Sequence, residues 1–445
     1  MTQGMTYILK NGRVVDPANG RDGIFDIEVR DGLIARVGHD LPITSGTMVL
    51  EVPAGCVVTP GLIDMHVHLR EPGQEHKETV ATGAASAVAG GFTAVACMPN
   101  TSPANDSAAV TRYIREKADA AGLARVYPIG AASVGSKGEQ MTEIGELKSA
   151  GCVAVSDDGH PIRTALLMRR VLEYAGMLDV LVIDHCEDPT LKGDGVVHEG
   201  IVAAELGLRG IPGEAEELWI ERDITLAGLT QTPFHVAHLS TAGSLRAVRA
   251  GKARGIHVTC EVAPHHFVLT DDALRGYDTN TKMNPPLRPQ ADVDALVEGL
   301  TDGSVDVIAT DHAPHHADEK ALSYDQAPFG ITGLETAVSL TFDRLVHTGR
   351  IGLPRMVELL SVNPARILKV TGGALNEGAP ADISVLAPDL PVTVRAATQR
   401  SLSKNMPFEG WDLRGGVAAT IVGGRFAYRN TTVDGLDSWP PAAVQ

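Results

Sequence analysis

Eight short apolar runs, alternating with stretches of helical periodicity, constrain the fold of this chain more than any other feature. They occupy residues 57–63, 92–97, 124–129, 152–155, 180–183, 233–237, 256–262 and 305–309. Segments 77–89, 107–121, 164–175, 214–229 and 242–254 lie between them and carry the helical pattern. Strands covered on both faces read as unbroken apolar runs, and parallel neighbours need a long crossover. Repetition of that unit predicts the α/β class, with a (β/α)8 TIM-like barrel over residues 56–371. A polar stretch, 312–330, follows the eighth run, and helical segments continue to about residue 370.

The two flanks carry a different pattern. Tyr7-Ile8-Leu9-Lys10 runs into Asn11-Gly12 and then Arg13-Val14-Val15. Residues 25–30 run into Asp31-Gly32 and then Leu33-Ile34-Ala35. Asn-Gly and Asp-Gly between alternating segments predict two hairpins. Residues 382–386, and 417–422 before Gly423-Gly424, again read as strands. The simplest assembly is one small β-sandwich domain built from both chain ends, residues 1–55 and 372–430. A C-terminal tail, 431–445, follows, and its residues 438–445 are expected to be disordered.

With 55 acidic against 38 basic residues, the formal charge is −17. An acidic surface repels phosphate backbones, so no nucleic-acid partner is expected. The N-terminal residues lack the basic and apolar regions of an export signal, and no apolar run is long enough to span a bilayer. Five cysteines, Cys56, Cys97, Cys152, Cys186 and Cys260, are odd in number and without CxxC spacing. They read as buried free thiols of a reducing compartment. A cytoplasmic protein with no membrane partner is the expectation.

The chemistry gathers at the ends of the apolar runs. Asp64-Met65-His66-Val67-His68-Leu69-Arg70 closes the first. Side chains alternate along a strand, so Asp64, His66 and His68 are expected on one face, with Ile63, Met65 and Val67 turned towards the helices. Asp157-Asp158-Gly159 follows the fourth run, His185 the fifth, His238 the sixth and Asp311 the eighth. In a parallel barrel these positions converge at the C-terminal mouth, where barrel chemistry sits. Histidine nitrogen and carboxylate oxygen suit zinc or a similar divalent ion. The loop from Asp311-His312-Ala313-Pro314-His315-His316 to Pro328-Phe329-Gly330 is placed to act as a lid.

Together these residues resemble the amidohydrolase superfamily, whose ligands follow strands one, four, five, six and eight. More narrowly, Pro60-Gly61-Leu62-Ile63-Asp64-Met65-His66-Val67-His68-Leu69-Arg70-Glu71-Pro72-Gly73 is similar to the first dihydroorotase signature. Ala309-Thr310-Asp311-His312-Ala313-Pro314-His315 is similar to the second. Met98-Pro99-Asn100-Thr101 and Met283-Asn284-Pro285-Pro286-Leu287-Arg288 fit the same family. The resemblance covers nearly the whole chain. One departure separates subgroups: hydantoinases bridge two metals with a carboxylated lysine after strand four, whereas Cys152-Val153-Ala154-Val155-Ser156-Asp157-Asp158-Gly159 has none. The nearest, Lys148, precedes the strand. That resembles the class I, bacterial long-chain dihydroorotases, whose pattern favours Asp158 as the bridge, with Asp157 as the fallback.

The resemblance implies a zinc-dependent cyclic amidohydrolase interconverting dihydroorotate and N-carbamoyl-L-aspartate in de novo pyrimidine biosynthesis. It implies one or two Zn2+ per chain, with His66 and His68 on one, His185 and His238 on a second, and Asp158 between them. Asp311 completes the ligand set and acts as catalytic base and then acid. Arg70, Asn100 and His315 would bind the substrate carboxylate, with His68, Asn284 and the Phe329-Gly330 backbone completing the site. A small-molecule substrate and a homo-oligomer are expected, and a complex with aspartate transcarbamoylase is compatible with an active chain. One alternative is hydantoinase, dihydropyrimidinase or allantoinase activity; Arg70 and the missing lysine argue against the first two. The other is a catalytically silent partner of aspartate transcarbamoylase, against which the full ligand set argues.

Overall fold

Strands from both ends of the chain meet in one mixed sheet. The computed structural model describes residues 5–444. Strands β1 (Tyr7–Asp16), β2 (Arg21–Arg30) and β3 (Leu33–Gly38) pair antiparallel, and β4 (Met48–Glu51) and β5 (Val57–Pro60) join β1 in parallel. Asp31 and Gly32, both at positive φ, make the two-residue turn between β2 and β3 that Asp-Gly predicts. Asn11-Gly12 does not turn the chain. It is a bulge inside β1, where Asn11 takes φ of 58° and its N–H goes to Asp26 Oδ1 at 3.0 Å. One extra residue in a strand needs the same left-handed backbone as a turn, so the dipeptide reads alike in both.

The barrel strands follow in chain order. They are β6 (Leu62–Val67), β7 (Phe92–Cys97), β8 (Arg125–Ala131), β9 (Ala154–Ser156) and β10 (Leu181–Asp184). A short parallel pair, β11 (Val197–His198) and β12 (Gly210–Ile211), lies in the crossover to β13 (Phe234–Val236). β14 (Val258–Val262) and β15 (Val307–Ile308) complete the set. Each strand pairs in parallel with the next, and a Val67–His312 bridge, with His68 N–H to His312 O at 2.8 Å, closes the ring. Thr79, Thr164 and Thr241 start helices by accepting the N–H of the residue three places on, satisfying donors that the first turn leaves free.

The chain returns through β16 (Ile383–Thr393), β17 (Asp412–Val422) and β18 (Arg425–Arg429), giving the sheet order β18-β17-β16-β5-β1-β2-β3. Tyr7, Ile27, Val385, Ile421 and Phe426 fill its apolar core. Arg125 of β8 reaches Asp382 at 2.7 and 3.1 Å, tying that sheet to the barrel. Residues 438–444 are ordered, contrary to the expectation of a disordered end. Trp439 is buried in the same core and donates to Glu51 O at 3.0 Å, while Gln445 lies outside the described residues.

Two further expectations change at the first barrel strand. The run 57–63 is two strands: β5 belongs to the mixed sheet, and Gly61 lets the chain step into β6. A Cβ on Gly61 would lie 2.1 Å from Thr93 Oγ1, so no other residue fits that step. The alternation across β6 is also broken, because its register shifts between Asp64 and Val67. Met65 therefore faces the barrel interior with Ala96, Ile129, Ile183 and Ala309 instead of facing the helices, whereas Ile63 packs with Ala94 and with Ala365 of the helix Asn363–Leu368. Val67 does pack with the helices. Asp64 leaves the face of the histidines and accepts the N–H groups of His66 and Thr310, both at 3.1 Å. Among the described residues no helix is long and apolar enough to cross a membrane.

Candidate active site

The apolar plug of the barrel ends below a polar mouth. His66 and His68 reach it from β6, Asp158 from the end of β9, His185 from β10, His238 from β13 and Asp311 from β15. All are buried. Asp158 lies among four imidazoles: its Oδ1 is 3.5 Å from His66 Nε2, 3.5 Å from His238 Nε2 and 3.8 Å from His185 Nδ1, and its Oδ2 is 3.5 Å from His68 Nε2. Asp311 Oδ1 stands 3.1 Å from His68 Nε2 and 3.6 Å from His66 Nε2. His185 Nδ1 and His238 Nε2 are 2.9 Å apart. Asp157 is turned away and holds the N–H and hydroxyl of Ser133.

This packing leaves buried atoms unsatisfied. Among the described residues His66 Nε2 and Asp158 Oδ1 have no hydrogen-bond partner, although each faces the other's group. Burial alone would raise the Asp158 carboxyl, but His66 and His238 outweigh it and hold it well below the carboxylate range. Asp311 is likewise held down against burial, by its bond to His68 and by His66. Burial opposes charge on His66, but Glu261 and Asp158 overcome that and raise it well above the usual imidazole value. Imidazole nitrogens and carboxylate oxygens converging within 4.8 Å, in the groups His66, His68, Asp311 and His66, Asp158, His238, form a donor set that fits a divalent cation. The backbone is bent to deliver it: Arg70, His238 and Asp311 take φ of 59°, 28° and 48°, a region that residues other than glycine rarely occupy.

Beside these groups lies a cavity of about 470 Å³, lined by Arg70, Asn100, Lys192, Asn284, His315 and Phe329 among others. Arg70 is buried, gives Nε–H to Pro314 O at 3.1 Å and Nη2–H to His315 Nε2 at 3.2 Å, and makes no ion pair among the described residues. Glu71 is taken by Val80 N–H and Tyr113, and Asp64 by the backbone, so neither neighbour neutralises it. Burial pulls the guanidinium down to about 10, still charged near neutral pH. Burial and Arg70 push His315 down to about 2, leaving it neutral. Asn100 Oδ1 accepts His68 Nδ1–H at 2.7 Å, so it orients a ligand-type histidine as well as lining the cavity. Asn284 Nδ2 reaches Glu187 at 3.2 Å, and its Oδ1 is unpartnered among the described residues.

The loop over the cavity is fastened from below. Lys320 Nζ donates to the carbonyls of Pro328 and Gly330, both at 3.0 Å, and burial lowers it to about 7. Gly330 N–H goes to Lys282 O at 2.9 Å and its carbonyl accepts Lys320 and Asn405, so both of its polar groups are engaged. A Cβ there would lie 2.7 Å from Ala313 Cβ. Lys192 and His160 also line the cavity, and Glu187 and Glu261 contact His185 and His66; reading the sequence missed all four. Glu261 is a carboxylate inside an apolar barrel strand, and that oddity was visible.

Residues 55–244 match the family model described as Dihydro-orotase-like. The chain is 54% identical over 425 residues to a dihydroorotase of Geobacter metallireducens, covering 96% of this chain and 100% of that protein. It is 53% identical over 429 residues to a dihydroorotase of Pelotomaculum thermopropionicum, covering 96% and 100%. An L-hydantoinase (dihydropyrimidinase) from Arthrobacter aurescens superposes with a TM-score of 0.85 at 24% identity, covering 96% of this chain and 97% of that one, a likeness of fold.

Proposed function

This chain belongs to the dihydroorotase family, and from that premise we propose that it is a zinc-dependent cyclic amidohydrolase interconverting dihydroorotate and N-carbamoyl-L-aspartate. The observation that carries the substrate is Arg70. A buried guanidinium without a carboxylate at ion-pair distance is costly, and the two carboxylates that line the cavity, Asp158 and Asp311, are engaged with imidazoles. The carboxylate of dihydroorotate is that anion; dihydrouracil and hydantoin have none.

Zinc fits the donors at the mouth, because one cation would satisfy His66 Nε2 and Asp158 Oδ1 together. His66 and His68 would hold one ion, His185 and His238 a second, with Asp158 between them and Asp311 beside. When bound, zinc supplies a Lewis acid and makes water acidic near neutral pH. Arg70, with His315 and Asn100, fixes the substrate carboxylate, and Asn284 and Phe329 bound the ring. Asp311, held as a carboxylate, takes the proton of the attacking water. The oxygen joins the ring carbonyl carbon, the C–N bond breaks, and Asp311 returns the proton to the leaving nitrogen, which becomes the carbamoyl NH2.

The test is ring opening by purified, zinc-loaded protein, offered dihydroorotate and dihydrouracil, with Arg70→Met beside wild type. Charge-assisted hydrogen bonds are worth roughly 1.5–3 kcal/mol, so the variant should lose at least about tenfold in kcat/KM on dihydroorotate. Slow dihydrouracil turnover should be unaltered. Equal losses on both substrates, or a wild-type preference for dihydrouracil, would overturn the reading.

A further inference from the structure

We infer that Glu261 is a positioning residue for the metal centre, fixing which nitrogen of His66 faces the ion. The inference rests on the zinc reading above. Glu261 lies on β14, fully buried, and its two oxygens are divided. Oε1 accepts His66 Nδ1–H at 2.6 Å and the backbone N–H of His238 at 3.3 Å. Oε2 accepts His235 Nε2–H at 3.2 Å. His235 Nδ1 in turn lies 2.7 Å from Thr259 Oγ1. Thr259 sits two residues before Glu261 on β14 and directly opposite His235 on β13, so two neighbouring strands build the support and hand it across the barrel to β6.

A carboxylate only accepts, and this settles the protons along the chain. His66 must carry a proton on Nδ1, so Nε2 is the nitrogen left to face an ion, and it points at Asp158 and Asp311, 3.5 and 3.6 Å away. His235 must donate through Nε2, so its Nδ1 accepts the Thr259 hydroxyl. The other ligand-type imidazoles are held differently. His68 Nδ1 rests on the neutral amide of Asn100 at 2.7 Å. His185 Nε2 stands 3.5 Å from Glu187, whose carboxylate is shared with Lys192 at 2.6 Å. His238 Nδ1 has no partner among the described residues. Among the described residues, His66 alone of the four bonds through Nδ1 to a buried carboxylate that no lysine or arginine pairs with. Such a partner fixes ring orientation and raises ligand basicity.

Glu261→Gln keeps the volume and one acceptor oxygen but removes the charge. Zinc affinity of wild type and variant is measured by competition with a chromogenic chelator, alongside KM for dihydroorotate. The dissociation constant for zinc should rise by about 10–100-fold, with KM unchanged. An affinity equal to wild type would overturn the inference while leaving the zinc reading intact; a wild type that binds no zinc would end both. Because Glu261→Gln could fail to fold, a second readout uses zinc-loaded wild type with 15N-labelled histidine. His66 should show a protected proton on Nδ1, and a bare Nδ1 would overturn the inference without any variant.

Discussion

Adjacent residues at the end of β10 serve two buried clusters of opposite character. His185 points into the barrel, where its Nδ1 lies 3.8 Å from Asp158 and 2.9 Å from His238. Asp184 points out, under the helix Glu214–Thr230, and meets Asp223, Cys186, Trp219 and Arg222. Both clusters bring three metal-type ligand atoms within 4.8 Å. In the first, neighbouring imidazoles pull the carboxyls down. In the second, burial and then Asp223 raise the Asp184 carboxyl well above the usual range, while Arg222 pairs with Asp223 at 2.7 Å and Trp219 donates to Asp184 at 3.0 Å. Asp184 thus keeps its proton and Arg222 supplies the outer cluster's positive charge, although Asp184 Oδ1 and Arg222 Nη2 have no hydrogen-bond partner among the described residues. Counting ligand-type residues does not separate the two; what separates them is whether imidazoles hold the carboxyls ionised or burial keeps them protonated.

The contrast breaks most sharply if the inner cluster tolerates loss of its histidines. His66→Ala with His68→Ala should remove at least one zinc by elemental analysis and reduce dihydroorotate opening to background. Full metal content in that double variant would refute the inner site. A smaller loss tests one carboxylate: Asp311→Asn should lower kcat by about 10²–10⁴-fold with the fold intact by circular dichroism. A near-normal kcat would remove Asp311 from proton transfer.

The outer cluster should give the smallest effect. Asp184→Asn resembles the protonated acid, so zinc content and turnover should match wild type. Its signature is in stability. A folded carboxyl raised above its unfolded value keeps its proton where the unfolded chain, near pKa 3.9, has lost it. That stability is full below about pH 4 and is lost as pH rises towards the folded value. Melting temperatures followed upward from pH 4 should therefore fall less steeply in Asp184→Asn; identical slopes would show that Asp184 is ionised.

Much of this was legible in the sequence. Eight apolar runs gave the barrel, and the residues just beyond them gave His66, His68, Asp158, His185, His238 and Asp311, because a parallel barrel sends all strand ends to one mouth. What stayed hidden depends on register and on long-range pairing. The break in β6 that turns Met65 inward follows from a bulge, and strict alternation has no room for one. Asn11-Gly12 needs the same backbone in a bulge as in a hairpin. Trp439 is ordered only because strands hundreds of residues away form its pocket. Glu261 and His235 lie inside apolar runs where pattern reading expects core, although a charge in such a run already needs a partner.

The most direct test of the contrast is anomalous diffraction at the zinc edge from crystals of zinc-loaded protein. The account predicts peaks between Asp158 and the imidazoles of His66, His68, His185 and His238, and none beside Asp184, Cys186 and Asp223. A mouth without anomalous density, or zinc in the outer cluster, would contradict it.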